Sequence, residues 1–251
     1  MGLPFDKIEA NGNDFVLLEK TFDSSAVSSI CDRHHGIGAD GILVFRLESD
    51  TLYLDHYDPD GSRSFCLNGI RAALSCLFVK ERIPPSGWVH SEGMHLAYEV
   101  GRRVKVQLPQ RAYTPLVWQA QDDGPSLHGF RAQVGNPQFV TIGTLNRTSF
   151  ERLAPQLRWD LDTFPEGTNV NLVHSVGEDW QVITYERGVE GFTLACGSGI
   201  YACALVLAGE TGGNSFTFYP DGQGTVHVTV AGEHLFMEGD CRHVATGEWL
   251  C

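Results

Sequence analysis

Two segments of this chain repeat one another, and the repeat restricts the fold more than any other feature. The first is Ser64-Phe65-Cys66-Leu67-Asn68-Gly69-Ile70-Arg71-Ala72-Ala73; the second is Leu194-Ala195-Cys196-Gly197-Ser198-Gly199-Ile200-Tyr201-Ala202-Cys203. Each reads cysteine, one residue, a short polar residue, Gly, Ile, then an Ala-rich apolar run. Asn and Ser are favoured helix caps, and the apolar run after each is long enough for a buried helix. Each half of the chain therefore places one thiol at a helix N-terminus. There, unpaired N–H groups and the helix dipole lower a thiol's pKa and hold an anion.

A second pair of matches points to duplication. Phe5 to Val16 is echoed by Phe130 to Val140, with Gly12-Asn13 and Gly135-Asn136 each followed shortly by Phe-Val. In both halves this match precedes the cysteine motif at similar spacing, and two matches in one order argue for an internal repeat better than either alone.

The rest of the pattern is mostly short strands. Phe5 to Leu18 reads as strand, Gly turn, strand, and Ser24 to Arg33 as a short helix. Leu52, Leu54 and His56 alternate with polar residues, as in a half-buried strand. The helix after Cys66 is expected to run to about Arg82, buried nearly all round, and to stop at Pro84-Pro85. His95 to Val100 and Arg103 to Leu108 form a hairpin pattern, and Pro109 to Leu127 is turn-rich and the best candidate linker. Phe150 to Leu157 reads as helix, Trp180 to Tyr185 as strand, Phe216 to Tyr219 with Val226 to Val230 as a hairpin, and His234 to Met237 as a strand before the tail Trp249-Leu250-Cys251. Many strands with one buried helix per half imply an α+β protein with antiparallel sheets, in two pseudo-symmetric domains. Their cysteine-bearing helix starts are expected to meet at a cleft.

Several functions are excluded on composition. A net charge of -13 argues against nucleic acid and anionic membranes as partners. No apolar run approaches the length of a membrane span. The start Met1-Gly2-Leu3-Pro4-Phe5-Asp6 has no basic region leading into an apolar core, so a cytoplasmic protein is expected. Seven cysteines without tight spacing fit reduced thiols rather than a disulfide scaffold. Cys31 and His34 have metal-ligand spacing, but no second pair follows, so no metal is expected. Gly36-Ile37-Gly38-Ala39-Asp40-Gly41 matches a dinucleotide fingerprint in form only. No apolar strand precedes it, and the strand-like Ile42 to Phe45 follows where a helix is required. Cys76 and Cys203 fall inside the helices and read as small buried hydrophobes.

At these residues the chain resembles the diaminopimelate epimerases, cofactor-independent amino-acid epimerases. The resemblance runs through Gly12-Asn13-Asp14-Phe15, the Gly36 to Gly41 segment, Asp60-Gly61-Ser62, both cysteine motifs, Gly135-Asn136-Pro137 and Asn169-Val170. Its most specific part is Tyr185-Glu186-Arg187-Gly188 leading to Thr193-Leu194-Ala195-Cys196-Gly197-Ser198-Gly199. It implies two domains, each an antiparallel sheet or barrel wrapped around a central helix: residues 1–113 with a tail of about 241–251, carrying Cys66, and residues 114–240, carrying Cys196. It implies catalysis by a thiolate and thiol pair, Cys66 and Cys196, with neither metal nor pyridoxal phosphate. The backbone N–H groups near Leu67, Asn68, Gly197 and Ser198 would hold the α-carboxylate. Asn13, Asp58, Asn136, Asn169, Glu186 and Arg187 would contact an amino-acid substrate, with Arg187 on the distal carboxylate. The expected partner is thus a small molecule, with pairing into a homodimer left open.

Independently of the resemblance, inverting an α-carbon needs a base on one face and an acid on the other, and two thiols can exchange those roles. The chain departs from the family pattern at Leu67, at the segment from Asp60 to Cys66, which is one residue short, at Asp58 in place of Asn, and at Gln138 in place of His. The resemblance makes that His a helper of the first cysteine, so Gln138 is expected to modulate Cys66. These departures leave open a broader racemase acting on glutamate or aspartate. From other classes come a dithiol redox protein, which lacks a Cys-x-x-Cys motif, and a non-catalytic amino-acid binder.

Overall fold

A computed structural model describes residues 2–19, 23–49, 51–121, 124–143, 145–222 and 224–250. Met1, residues 122–123 of the expected linker and Cys251 of the expected tail lie outside the described residues. The chain divides into two units, Met1–Leu108 with Glu238–Cys251, and Pro109–Met237. The expected boundaries at 113/114 and about 240/241 lie a few residues further along.

The first unit contains β1 (Leu3–Ala10), β2 (Asn13–Glu19), α1 (Val27–Cys31), β3 (Gly41–Glu48), β4 (Thr51–Tyr57), α2 (Leu67–Val79), β5 (Ser86–Ser91), β6 (Met94–Val100), β7 (Val104–Pro109) and, from the tail, β17 (Arg242–Trp249). β1 pairs antiparallel with both β17 and β2. β2 runs parallel to β3, which is antiparallel to β4; β4 is parallel to β5, and β5, β6 and β7 follow as an antiparallel meander.

The second unit contains β8 (Tyr113–Gln119), β9 (Ser126–Gln133), β10 (Pro137–Ile142), α3 (Arg147–Arg158), β11 (Asn169–Val176), β12 (Asp179–Glu186), β13 (Gly191–Thr193), α4 (Gly197–Thr211), β14 (Ser215–Pro220), β15 (Val226–Ala231) and β16 (His234–Gly239). Its pairings repeat the first: β8, β9 and β10 antiparallel, β10 parallel to β11, β11 antiparallel to β12, β12 parallel to β14, β14 antiparallel to β15. The fold is α+β. The sheets are mixed rather than antiparallel throughout, because each parallel pair is the product of a crossover. A helix lies in the chain between the strands of all four such pairs, α1, α2, α3 and α4 in turn, as the geometry of parallel connections requires.

Helices on both sides of the strands explain the continuous apolar runs. In β2, Phe15, Val16, Leu17 and Leu18 are all buried. Val16 and Leu18 pack with Ile42, Val44, Val27 and Ile30 around α1. On the other face Leu43 meets α2, where a Cβ on Gly69 would lie 3.0 Å from its Cδ2. Strands covered on two faces lose the alternation that marks a half-solvated strand. α2 packs on β1, β2, β6 and β17, and α4 on β9, β10, β11 and β15. Gly197 to Leu207 of α4 are all buried. Each unit is thus a sheet around a central helix, with α1 or α3 on its outside. No helix among the described residues is long and apolar enough to cross a membrane.

Two further expectations change. The expected linker contains β8, held by seven residue pairs with β9 from Tyr113↔Ala132 to Gln119↔Ser126. The tail is a full strand, β17, and its polar sequence hid it. The Gly36 to Gly41 segment is the Gly-rich loop into a strand that the sequence suggests: Gly36 N–H bonds the Asp32 carbonyl, and the Ile37 and Gly38 N–H groups bond that of Ile30. A Cβ on Gly36 would lie 2.1 Å from the Ser29 carbonyl oxygen, so this close approach requires glycine.

Candidate active site

Both central helices begin on a cysteine. Cys66 is the N-cap of α2, with φ -127 and ψ 102, and Cys196 is the N-cap of α4, with φ -116 and ψ 108. Asn68 and Ser198, expected as caps, instead sit at the second helical position of each. The caps are extended because the preceding strand-like segment must turn into the helix at that residue. The first N–H groups of a helix have no carbonyl partner within it, and in α2 and α4 these belong to Leu67 and Asn68 and to Gly197 and Ser198. The Ile70 and Ile200 N–H groups close the first turns on the Cys66 and Cys196 carbonyls, at 3.0 Å in each.

Around Cys66, the structure gathers Asn13 and Asn68. The half-buried Cys66 Sγ accepts a hydrogen bond from Gly69 N–H at 3.4 Å and donates to Asn13 Oδ1 at 3.9 Å. Asn68 Nδ2 donates to the same Asn13 oxygen at 3.4 Å, and Asn13 Nδ2 donates to Asp40 Oδ2 at 2.8 Å. Asp58 lies at the turn after β4, where its N–H bonds the Ser62 carbonyl and its carboxylate is 4.0 Å from His56 Nδ1. Burial pushes the His56 imidazole down against the pull of Asp58, so the ring is neutral near pH 7. Its Nδ1 lies 2.9 Å from Ser64 Oγ.

Sequence reasoning missed the ion network behind Asn13. Lys7 and Arg33 converge on Asp14, and Arg33 also reaches Asp40. Burial pushes the Asp14 carboxyl up, but the hydrogen bonds and charges of Arg33 and Lys7 outweigh it and hold the group at about 2. A carboxyl depressed in the folded state stabilises the fold above its unfolded pKa and loses that contribution as pH falls toward the folded value. Arg33 is half exposed, and solvent screens part of the effect. Asp14→Asn is expected to cost about 1–2 kcal/mol at pH 7, with the gap to the parent closing as pH falls from 5 toward 2; urea titrations across that range measure it.

In the second unit, strand register assembles the site. Gln138 of β10 lies beside Asn169 of β11, and Val170 opposite Tyr185 puts Asn169 level with Glu186 at the end of β12. The fully buried Cys196 thiol donates to Glu186 Oε1 at 3.5 Å, lies 3.4 Å from Ser198 Oγ, and receives Asn169 Nδ2 at 3.9 Å. The Arg187 N–H donates to Asn169 Oδ1 at 2.8 Å, and its guanidinium donates to the Glu166 carbonyl at 2.8 Å. Burial pushes the Cys196 thiol well up, and the Glu186 charge adds to this; the Ser198 hydroxyl and Gly199 N–H pull the other way without prevailing. The expectation of a lowered pKa therefore fails at Cys196, because desolvation outweighs the helix start. This cysteine rests as a thiol.

Gln138 joins the same site. It is fully buried, and its amide donates to Asn136 Oδ1 at 2.7 Å and Ser198 Oγ at 3.2 Å while accepting from Asn171 Nδ2 at 2.9 Å. These contacts place it beside Ser198, two residues from Cys196. Asn171 and Thr184, also missed, extend the buried network: Thr184 Oγ1 donates to Asn171 Oδ1 at 2.8 Å. Their signal was present as polar residues inside apolar strands. A Cβ on Gly199 would lie 2.3 Å from that Asn171 oxygen. Gly199→Ala is expected to destabilise the fold by about 1–3 kcal/mol through overpacking and to displace the α4 start, which thermal melts and turnover would both register.

Among the described residues, Asp6, Cys76 and His243 have ligand atoms within 4.8 Å of one another. Lys80 already pairs with Asp6 there, at 2.5 Å, and a metal ion would have to displace that ammonium.

The sequence profile of the diaminopimelate epimerases matches residues 130–244. The diaminopimelate epimerase of Methanocella arvoryzae is 32% identical over 98% of this chain and 96% of its own length. That of Aquifex aeolicus is 36% identical over 81% of each. In fold alone, the chain is similar to a phenazine biosynthesis protein of the PhzF family from Bacillus anthracis, with TM-score 0.75 and 13% identity over the whole of both chains. It is likewise similar to a hydroxyproline epimerase from Agrobacterium vitis, with TM-score 0.72 and 11% identity over 98% of this chain and 90% of that one. Sequence identity of this extent, with a thiol at the start of each central helix, identifies the chain as a member of the diaminopimelate epimerase family.

Proposed function

We propose that this enzyme interconverts LL- and meso-diaminopimelate by proton transfer at the α-carbon, with Cys66 and Cys196 as the acid and base. What supports the reading most is the duplicated arrangement itself: a cysteine caps each central helix, beside a carboxamide from a strand end, Asn13 in one unit and Asn169 in the other. One thiolate removes the α-proton while the other thiol delivers a proton to the opposite face, so the pair finishes with its protonation exchanged and the reverse reaction begins from that state. Charge that develops on the α-carboxylate as the proton leaves is stabilised by helix-start N–H groups at Leu67, Asn68, Gly197 and Ser198. Glu186 accepts the Cys196 proton and can hold a substrate ammonium. Arg187 spends one nitrogen on Glu166 and keeps further donors for a distal carboxylate.

In this reading the enzyme works in the cytoplasm, supplying lysine and peptidoglycan precursors. Chiral analysis of diaminopimelate, glutamate and aspartate after incubation with the enzyme tests the assignment. Epimerised diaminopimelate with unchanged glutamate and aspartate is expected; racemised glutamate with untouched diaminopimelate would overturn it.

A further inference from the structure

Arg71 lies one turn into α2 and is completely buried. Its Nη2 donates to Asn11 Oδ1 at 2.9 Å and to Asn68 Oδ1 at 2.8 Å. Its Nε and Nη1 have no hydrogen-bond partner among the described residues. The charged and titratable groups facing it are Cys241, Cys66, Asp240 and Glu9, and no carboxylate forms a salt bridge with it among the described residues. Burying a guanidinium without a paired anion is expensive, and a well-packed apolar side chain in its place would often be neutral or stabilising. Stability therefore does not account for this charge.

The hydrogen bonds suggest what does. A guanidinium can only donate and a carboxylate can only accept, so the two ends of a chain of carboxamides fix every amide between them. Arg71 takes the Asn68 oxygen, which turns the Asn68 NH2 toward Asn13 Oδ1. Asn13 must then present its NH2 to Asp40 and its oxygen to Cys66. We propose that Arg71 is a positioning residue for the first half-site: it fixes the Asn68 and Asn13 amides around Cys66, and its buried charge favours the anionic form of that thiol and an anion at the α2 start. The proposal deepens the epimerase reading and rests on it for Cys66 as a base. Burial pushes the Cys241 thiol up to about 11, so this neighbour stays neutral near pH 7, and Asp240 and Glu9 act on the guanidinium only through space, without a salt bridge among the described residues. The other cations at this cluster, Lys7 and Arg33, come from outside α2 and are paired with Asp14 and Asp40 at its outer end.

The test is alkylation of Cys66 by iodoacetamide across pH 6–10, followed by peptide mass spectrometry, in the parent and in Arg71→Met, Arg71→Gln and Arg71→Lys. This readout does not depend on which amino acid is epimerised, so it separates failure of the proposal from failure of the assigned reaction. Loss of the charge in the Met and Gln variants should lower the Cys66 alkylation rate at pH 7 roughly tenfold, equivalent to about one pKa unit. The Lys variant should stay within about threefold of the parent. If the Met variant does not fold, the Gln and Lys pair decides the question in the same way. Equal alkylation in all variants would overturn the proposal, and so would equal slowing in all of them, which would mark a purely structural role.

Discussion

Replacing either Cys66 or Cys196 by Ala is expected to reduce epimerisation of diaminopimelate roughly a thousandfold or more, since each direction needs both a base and an acid. The change at Cys196 removes one buried sulfur, a loss the surrounding α4 core should tolerate with the fold intact. Each Cys→Ser variant should keep a one-sided reaction, such as elimination from a halogenated analogue, because the unaltered thiol can still remove a proton. Steady-state rates in both directions, with circular dichroism to confirm folding, measure this. Full activity in Cys66→Ala would end the two-thiol reading.

Glu186→Gln should separate thiol reactivity from turnover. Glu186 raises the Cys196 pKa through its charge and by accepting the thiol proton. Removing that charge lowers the thiol pKa, so Cys196 should react faster with a small thiol reagent near pH 7. Epimerisation should nevertheless fall by roughly a hundredfold, most in the direction that uses Cys196 as base, because the carboxylate that takes its proton is gone. A variant with both faster alkylation and unchanged turnover would remove Glu186 from the proton path.

Much of this arrangement was legible in the sequence, for reasons that can be named. The repeated cysteine motif announces two buried helices because Ala-rich apolar runs have few other places to go. What the sequence concealed was long-range. β17 is mostly exposed, so nothing in Arg242 to Trp249 alternates, and only its pairing with β1 makes it a strand. The parallel pairs could not be read because they depend on crossovers. The sign of the Cys196 shift was misjudged because a helix start is visible in a sequence and complete burial beside a carboxylate is not. The contact of Gln138 with Ser198 was hidden for a similar reason: only the register of β10 on β11 brings it there. Arg71 passed unnoticed as one residue in a motif dominated by its cysteine.

The central claim is that two separate thiols handle the α-proton. Running the reaction from LL-diaminopimelate in deuterium oxide and following the α-position by NMR tests it most directly. The account predicts that the inverted α-carbon of the meso product carries solvent deuterium from the first turnovers, while the remaining LL substrate stays protiated, because the proton removed and the proton delivered sit on different sulfurs. Product that retains the substrate's own hydrogen, or substrate that exchanges with retained configuration as fast as product forms, would contradict it.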